Sequence, residues 1–269
     1  MKCAPFVYVR PGSVDEAVQA LVDAEGEAKL LAGGQSLVPL LALRMARPAV
    51  LVDVNHVPGL AGVHPEDGAV RVGALTRHAA LTRQTDHPLL AEAARWIGHT
   101  AIRTRGTTGG SIAHADPAAE LPVVAVGTGA AVTVAGPAGT RTVAAEELFE
   151  GALMTTLADE EMIVEARFPV PTRWGFAEFA RRHGDFALVT AVVAEVGCRV
   201  RIALGGVGGV PVRGTAGEAV LAAGGSAREA AAAASAQLHP TGDLHGSAEF
   251  RRAIAAEMMR RALAKAGIE

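Results

Sequence analysis

The first fifty-odd residues constrain the fold most, because strand-like and helix-like segments alternate there. The strand-like runs are "FVYV" (6–9), "AKLLA" (28–32) and "AVLVDVN" (49–55). In the first helix-like segment, Ser13 and Glu16 have the spacing of a capping box, and apolar residues follow at helical intervals. The second segment, "SLVPLLALRMA" (36–46), carries Pro39, which a helix tolerates in its first turn. The pattern predicts a βαβαβ unit over residues 1–57.

A mixed unit is predicted over residues 58–171. "AVRVGAL" (69–75) and "EMIVEARFPV" (161–170) have the composition of strands, and "GPAG" (136–139) between two strand-like runs predicts a hairpin. A helix is expected over 88–97. Asp116 and Pro117 have the N-cap and N1 chemistry of another helix start.

The remaining residues, 172–269, predict a small sheet followed by helices. Three antiparallel strands are expected in "WGFAEFARR" (174–182), "ALVTAVVAEV" (187–196) and "CRVRIALGGVG" (198–208), although the middle segment is also compatible with a helix. Three helices are expected around 217–222, 227–237 and 247–266. The fold class is therefore α+β, with three units.

Composition excludes several classes of protein. The net charge of −3 gives no electrostatic footprint for nucleic acid. No charge-free apolar run approaches about 20 residues, so no membrane span is expected. The N-terminus lacks the features of a signal peptide, which favours a cytoplasmic location. Two cysteines, Cys3 and Cys198, are too few for a four-cysteine iron–sulfur cluster, and a disulfide is not expected.

Two segments with adjacent glycines are the candidate ligand-binding features: "LLAGGQSLVPLL" (30–41) and "TTGGSIAHADPAAELP" (107–122). Neither is a P-loop, and "GGVGGV" (205–210) lacks the third glycine of a dinucleotide fingerprint. Adjacent glycines permit positive φ and let backbone N–H groups converge on an anion, which a following helix N-terminus would strengthen. Two such loops would suit the diphosphate of FAD. The alternative, a tight turn at each position, stays open.

These two segments resemble those of the FAD-binding medium subunit of molybdenum hydroxylases, the carbon monoxide and xanthine dehydrogenase family. The resemblance continues through "FARRHGDFALVTAVV", "IALGGVGGVPVR" and "HGSAEFRRAIAAEMMRRAL", in order along essentially the whole chain. It implies a two-subdomain FAD-binding domain of the PCMH/vanillyl-alcohol-oxidase type, followed by a small domain with a three-stranded antiparallel sheet and a helical bundle.

The resemblance also implies which residues contact FAD. The first glycine segment supplies Ala32, Gly33, Gly34, Gln35, Ser36 and Leu37. The second supplies Thr107, Gly109, Gly110, Ser111, His114 and Glu120, and Ile163 and Phe186 complete the set. Relatives often carry aspartate at the position of Glu120 and an apolar group beside the flavin at that of Phe186.

Several of these residues, and some of their neighbours, have ordinary structural interpretations as well. His114 fits a packed or capping residue, and Phe186 fits a core aromatic on a strand. Arg181 and Arg182 would either neutralise a reduced flavin or form a solvated face. Trp96 and Ile97 would pack near the flavin ring or only within the helix core.

By resemblance, this chain is the flavin component of a larger assembly. A large molybdopterin-containing subunit oxidises the substrate, and a small subunit with two [2Fe–2S] clusters passes electrons to FAD, in a dimer of heterotrimers. FAD then reduces an external acceptor, and no side chain of this chain is expected to be catalytic. A self-contained FAD-dependent oxidase or reductase and a non-enzymatic binding or assembly protein are the alternatives. Substrate and acceptor are not readable from the sequence.

Overall fold

A three-stranded parallel sheet forms the N-terminal part of the computed structural model, which describes residues 2–269. The elements are β1 (Val7–Val9), α1 (Val14–Asp23), β2 (Ala28–Leu31), α2 (Leu37–Ala42) and β3 (Val50–Asp53). Strand β3 lies between β1 and β2. The predicted βαβαβ order is confirmed.

Both helices of this unit differ in detail from the expectation. The Ser13 hydroxyl caps α1 by accepting from the Glu16 backbone N–H, but the Glu16 carboxylate accepts from the backbone N–H of Gly12 instead of that of Ser13. Helix α2 ends four residues earlier than predicted, since the chain turns after Leu43 and Arg44 has a left-handed φ of 58°.

The middle of the chain forms a five-stranded antiparallel sheet in the order β4-β5-β10-β6-β7. Its strands are β4 (Val63–Glu66), β5 (Ala69–Gly73), β6 (Ala131–Gly136), β7 (Gly139–Ala144) and β10 (Met162–Pro169), and β8 (Phe149–Gly151) pairs separately with β9 (Met154–Thr155). The predicted hairpin is β6–β7. Sequence reasoning missed β4, an edge strand whose residues "VHPE" are mostly exposed and show no alternation.

Six helices belong to this region: α3 (His78–Leu81), α4 (Pro88–Trp96), α5 (Thr100–Arg103), α6 (Thr108–His114), α7 (Glu120–Thr128) and α8 (Ala145–Leu148). All nine residues of α7 are buried. It packs against the strands of the C-terminal sheet, so it has no polar face and no amphipathic period.

The C-terminal part contains an antiparallel sheet in the order β11-β12-β13-β14, covered by three helices. The elements are β11 (Arg173–Phe179), β12 (Val189–Val196), β13 (Arg199–Gly205), β14 (Val212–Arg213), α9 (Thr215–Ala222), α10 (Ala227–Ala236) and α11 (Ala248–Lys265). The three predicted strands are present, and the two-residue β14 was missed. The fold class is confirmed.

The segment for which a helix was also considered forms a strand, β12. Its residues 189–194 are buried without alternation, because α7 covers one face of the sheet and α11 the other. Burial on both faces removes the period of two that normally identifies a strand. Within residues 2–269, no helix combines the length and the apolar character that crossing a membrane requires.

Candidate functional site

A cleft of about 1760 Å³ is lined by residues from the N-terminal, middle and C-terminal parts of the chain. All fourteen residues predicted to contact FAD line it: Ala32, Gly33, Gly34, Gln35, Ser36, Leu37, Thr107, Gly109, Gly110, Ser111, His114, Glu120, Ile163 and Phe186. Small-molecule sites usually occupy about 300–1000 Å³, so this cleft has room for an extended dinucleotide. The individual roles of these residues toward FAD stay predictions.

The first glycine segment presents free backbone donors to the cleft. The N–H groups of residues 33–36 have no acceptor among residues 2–269, while the Gln35 amide donates to the Gly33 carbonyl at 3.0 Å. Gly34 has a positive φ of 70°. A Cβ on Gly33 would lie 2.5 Å from the Arg105 carbonyl oxygen and 2.8 Å from the Gly106 Cα. Gly33 therefore allows this loop to pack directly against the chain leading into the second segment.

The second glycine segment is not the loop that was predicted. Thr107 is the N-cap of α6, so Gly109, Gly110 and Ser111 lie inside the helix. Their N–H groups are already used: Gly109 donates to the Ala74 carbonyl at 2.8 Å, and Gly110 to the Thr107 hydroxyl at 3.2 Å. The prediction of a second backbone nest is wrong. What this segment offers a ligand is close backbone approach and the hydroxyls of Thr107 and Ser111.

Asp116 does not cap the following helix, contrary to the prediction. Helix α7 begins at Glu120, with Ala119 at its N-cap. The Asp116 carboxylate accepts from the Ala118 N–H at 2.8 Å, which stabilises the turn between α6 and α7. Asp116 and Pro117 therefore form the turn that precedes α7.

A polar bridge that sequence reasoning missed joins the two glycine segments. The Asn55 amide donates to the carbonyls of Leu31 (3.2 Å) and Ala32 (2.9 Å), just before Gly33. The Arg77 guanidinium donates to the Asn55 side-chain oxygen and to the Arg105 carbonyl, both at 2.6 Å. The position of Asn55 just after a buried strand is only a weak sequence signal for a functional residue, and nothing in the sequence singles out Arg77.

Replacing Arg77 with methionine is expected to loosen this bridge. The change removes two hydrogen bonds from a charged, partly buried donor, so we expect the free energy of unfolding to fall by about 1–2 kcal/mol. The affinity for FAD should fall roughly tenfold, since the two segments are no longer tied together. Urea unfolding and fluorescence titration with FAD measure the two effects. Arg83→Met, at an exposed arginine, is the matched control, and equal FAD affinity in both variants would contradict the bridging role.

Two buried carboxyl groups lie beside the cleft. Glu120 lines the cleft and is 7% exposed, and Glu178, on β11, is 9% exposed and accepts from the Thr190 hydroxyl at 3.3 Å. Burial raises the pKa of Glu120, to which the charge of Asp116 adds. Burial also raises the pKa of Glu178, and the charge of Glu120 adds to it. A carboxyl that keeps its proton can donate a hydrogen bond to a ligand oxygen.

The raised pKa of Glu120 predicts a pH-dependent stability. Above the unfolded-state pKa the native state binds more protons than the unfolded state, so the free energy of unfolding falls as the pH rises toward the folded-state pKa. Glu120→Gln should therefore stabilise the flavin-free chain by about 1–2 kcal/mol at pH 8 and change it little at pH 5. Urea unfolding at both pH values measures this. Glu150→Gln, at an exposed position, should leave the pH dependence of the free energy of unfolding unchanged. If Glu120→Gln also left it unchanged, the raised pKa of Glu120 would be refuted.

The C-terminal wall of the cleft is held by a buried arginine. Arg251, on α11, is 8% exposed and donates to the carbonyls of Leu188 (2.7 Å) and Gly206 (2.9 Å). It also pairs with Asp243 at 2.7 Å. Three separate segments are thereby fixed at one edge of the cleft.

Other residues considered from the sequence differ in whether they line the cleft. Phe186 is 77% exposed, so it is not a core aromatic. Arg181 and Arg182 both line the cleft, and Arg182 pairs with Asp185 while its side chain is 84% exposed, so a role beside the flavin and a solvated face both stay predictions. Ile97 lines the cleft, whereas Trp96 packs against Phe176 and His183.

Comparison with known proteins shows the family to which the chain belongs. Residues 4–171 match the family described as the FAD binding domain in molybdopterin dehydrogenase, and residues 174–266 match the CO dehydrogenase flavoprotein C-terminal domain. The chain belongs to the family of FAD-binding medium subunits of the molybdenum hydroxylases. Its cofactor is FAD.

Individual relatives extend over nearly the whole chain. The 6-hydroxypseudooxynicotine dehydrogenase complex subunit alpha of Paenarthrobacter nicotinovorans is 44% identical, covering 99% of this chain and 96% of the relative. The carbon monoxide dehydrogenase medium chain of Hydrogenophaga pseudoflava is 38% identical, covering 96% of each. The crystal structure of quinoline 2-oxidoreductase from Pseudomonas putida 86 superposes with a TM-score of 0.93 at 36% identity, covering 99% of this chain and 98% of that one.

Proposed function

We propose that the chain is the electron-transfer subunit of a heteromeric molybdenum hydroxylase, receiving electrons from [2Fe–2S] clusters of a partner and passing them to an external acceptor. The observation that carries the proposal is the convergence of all fourteen predicted residues on one dinucleotide-sized cleft. When bound, FAD supplies a centre that accepts electrons singly or in pairs.

The residues of the cleft fit such a cofactor. The free N–H groups of residues 33–36 are suited to diphosphate oxygens. The Ser111 hydroxyl can donate to further oxygens of the ligand, and the Glu120 carboxyl, whose pKa is raised by burial, can do so in its protonated form. A Cβ on Gly110 would lie 2.7 Å from the Thr107 Oγ1 and 3.9 Å from the Ala32 Cβ, so glycine at this position leaves the Thr107 hydroxyl unobstructed. These residues bind and orient the cofactor, and none needs to exchange a proton with the substrate.

The proposed partners are a large molybdopterin-containing subunit and a small [2Fe–2S] subunit, in a dimer of heterotrimers. Two relatives carry the words "complex subunit alpha" and "medium chain" in their names, which supports a heteromeric assembly. The chain itself has only two cysteines, so the clusters must reside elsewhere. A cytoplasmic location stays a prediction.

Reconstitution with FAD and then with partner subunits tests this function. We expect the chain to bind one FAD and to show no turnover of N-heterocyclic or aldehyde substrates by itself. Its flavin should be reduced by substrate only when the molybdenum and iron–sulfur subunits are added. Failure to bind FAD would refute the proposal, whereas substrate oxidation by the isolated chain would support a self-contained oxidase or reductase.

A further inference from the structure

A short segment at the edge of the cleft, residues 241–246, is nearly independent of its surroundings. Thr241, Asp243 and His245 line the cleft, and every residue of the segment except Gly246 is exposed. The segment folds on itself, since the Asp243 N–H donates to the Gly246 carbonyl at 3.0 Å. One oxygen of the Asp243 carboxylate accepts from the N–H groups of His245 (2.8 Å) and Gly246 (3.0 Å). These bonds make a compact turn that carries its own backbone pairing.

A single ion pair ties this turn to the rest of the protein. The other oxygen of the Asp243 carboxylate lies 2.7 Å from a terminal nitrogen of the Arg251 guanidinium. Within residues 2–269, no other hydrogen bond or ion pair joins the segment to the rest of the chain. Arg251 is also held by the carbonyls of Leu188 and Gly206. The arginine therefore stays fixed without Asp243, whereas the segment loses its tie without Arg251.

Both ends of the segment are anchored, so that only the turn between them is free to move. Pro240 is buried before it, and after it the Ser247 hydroxyl caps α11 by accepting from the Phe250 N–H at 3.1 Å. Leu244, at the tip, is fully exposed and contributes no packing. Segments with few buried contacts and no backbone hydrogen bonds to their surroundings open at little cost in free energy. The closed position therefore depends on the charged hydrogen bond between Asp243 and Arg251.

We propose that residues 241–246 are a gate at the edge of the FAD cleft, and that Asp243 and Arg251 are positioning residues that hold it closed. Three side chains of the segment line the cleft, so its opening widens the path by which FAD enters and leaves. The ion pair sets how often the gate opens, in the flavin-free and the FAD-bound chain alike. The inference concerns exchange of the cofactor and is independent of the electron acceptor in the proposed function.

Asp243→Asn in the full-length chain tests the ion pair alone. The asparagine keeps one side-chain oxygen for the N–H groups of His245 and Gly246, but it loses the negative charge that pairs with Arg251. The association and dissociation rates of FAD should both rise about tenfold, because each step requires the gate to open. The dissociation constant should therefore change by less than about threefold. Stopped-flow measurement of flavin fluorescence gives both rates.

Glu257→Gln is the matched control on the same helix. It removes the ion pairs of Glu257 with Arg260 and Arg261, none of which lines the cleft, so both rates should equal those of the wild type. A rise confined to the dissociation rate of Asp243→Asn would overturn the gate, because it would show that Asp243 only stabilises bound FAD. Wild-type rates in Asp243→Asn would overturn it as well.

Limited proteolysis of flavin-free protein gives a readout that needs no FAD. Cleavage within residues 241–246, located by mass spectrometry, should be several-fold faster in Asp243→Asn than in the wild type or Glu257→Gln, because proteases cut opened segments. Equal cleavage in all three proteins would refute the role of the ion pair in holding the segment. Since this result does not involve the cofactor, it separates a failure of the gate from a failure of FAD binding.

Discussion

Valine in place of Gly33 is expected to reduce the affinity for FAD by at least about a hundredfold, or about 2.7 kcal/mol. The added Cβ would lie 2.5 Å from the Arg105 carbonyl oxygen and 3.0 Å from the Arg105 carbonyl carbon. These are backbone atoms, so the clash cannot be relieved by rotating a side chain. The first glycine segment must move away from the second, and the free N–H groups of residues 33–36 move with it. Flavin content after purification and titration of flavin-free protein with FAD measure the loss.

Gly12 supplies the control for this variant. A Cβ there would meet only the Glu16 carboxylate oxygen at 3.5 Å, an ordinary contact. Gly12→Ala should therefore keep wild-type flavin content. Far-UV circular dichroism should show that Gly33→Val retains its secondary structure. Full FAD binding by a folded Gly33→Val protein would show that the contact between the two glycine segments does not set the cofactor site.

Alanine in place of Gly175 is expected to lower the free energy of unfolding by about 4 kcal/mol or more. Gly175 lies on β11, and a Cβ there would be 1.8 Å from the Ala262 carbonyl oxygen of α11. Helix and strand would have to separate, and both are buried against each other. The Lys265 side chain, which donates to the Phe176 carbonyl at 2.8 Å, would be displaced as well. Urea unfolding of flavin-free protein measures the effect.

Gly208 is the matched position in the same region. Its Cβ would meet the Val212 side chain at 3.4 Å, and its φ is not in the left-handed range. Gly208→Ala should change the free energy of unfolding by less than about 1 kcal/mol. If Gly175→Ala were equally mild, the close packing of α11 on β11 would be refuted.

Local patterns predicted the order of the elements well where one face of an element is exposed. The alternation in the N-terminal unit and the Ser13 cap of α1 are examples. The patterns were ambiguous or silent where burial is complete or absent. Strand β12 is buried on both faces and lacks alternation, while the edge strand β4 is mostly exposed and lacks it for the opposite reason. The division of the chain at residues 57 and 171 stays a prediction.

The sequence grouped residues that line one cleft, but it did not show which helices and loops form that cleft. The glycine segments and the resemblance identified fourteen residues that share one cleft. They did not indicate that Gly109 and Gly110 lie inside a helix with their N–H groups used internally. The Gly110 N–H is taken by the local Thr107 cap, and the Gly109 N–H by the Ala74 carbonyl, a tertiary contact that the local pattern does not show. Arg77 was missed, since it joins Asn55 to the Arg105 carbonyl only when distant segments meet.

The bridge formed by Asn55 and Arg77 has a consequence for divergence within this family. Three of its acceptors are main-chain carbonyls, those of Leu31, Ala32 and Arg105, which every amino acid provides. Side chains at those three positions can therefore be exchanged without altering the spacing of the bridge. A scaffold of this kind makes the shape of the cleft independent of the side chains at these three positions, so they can diverge while the frame stays the same.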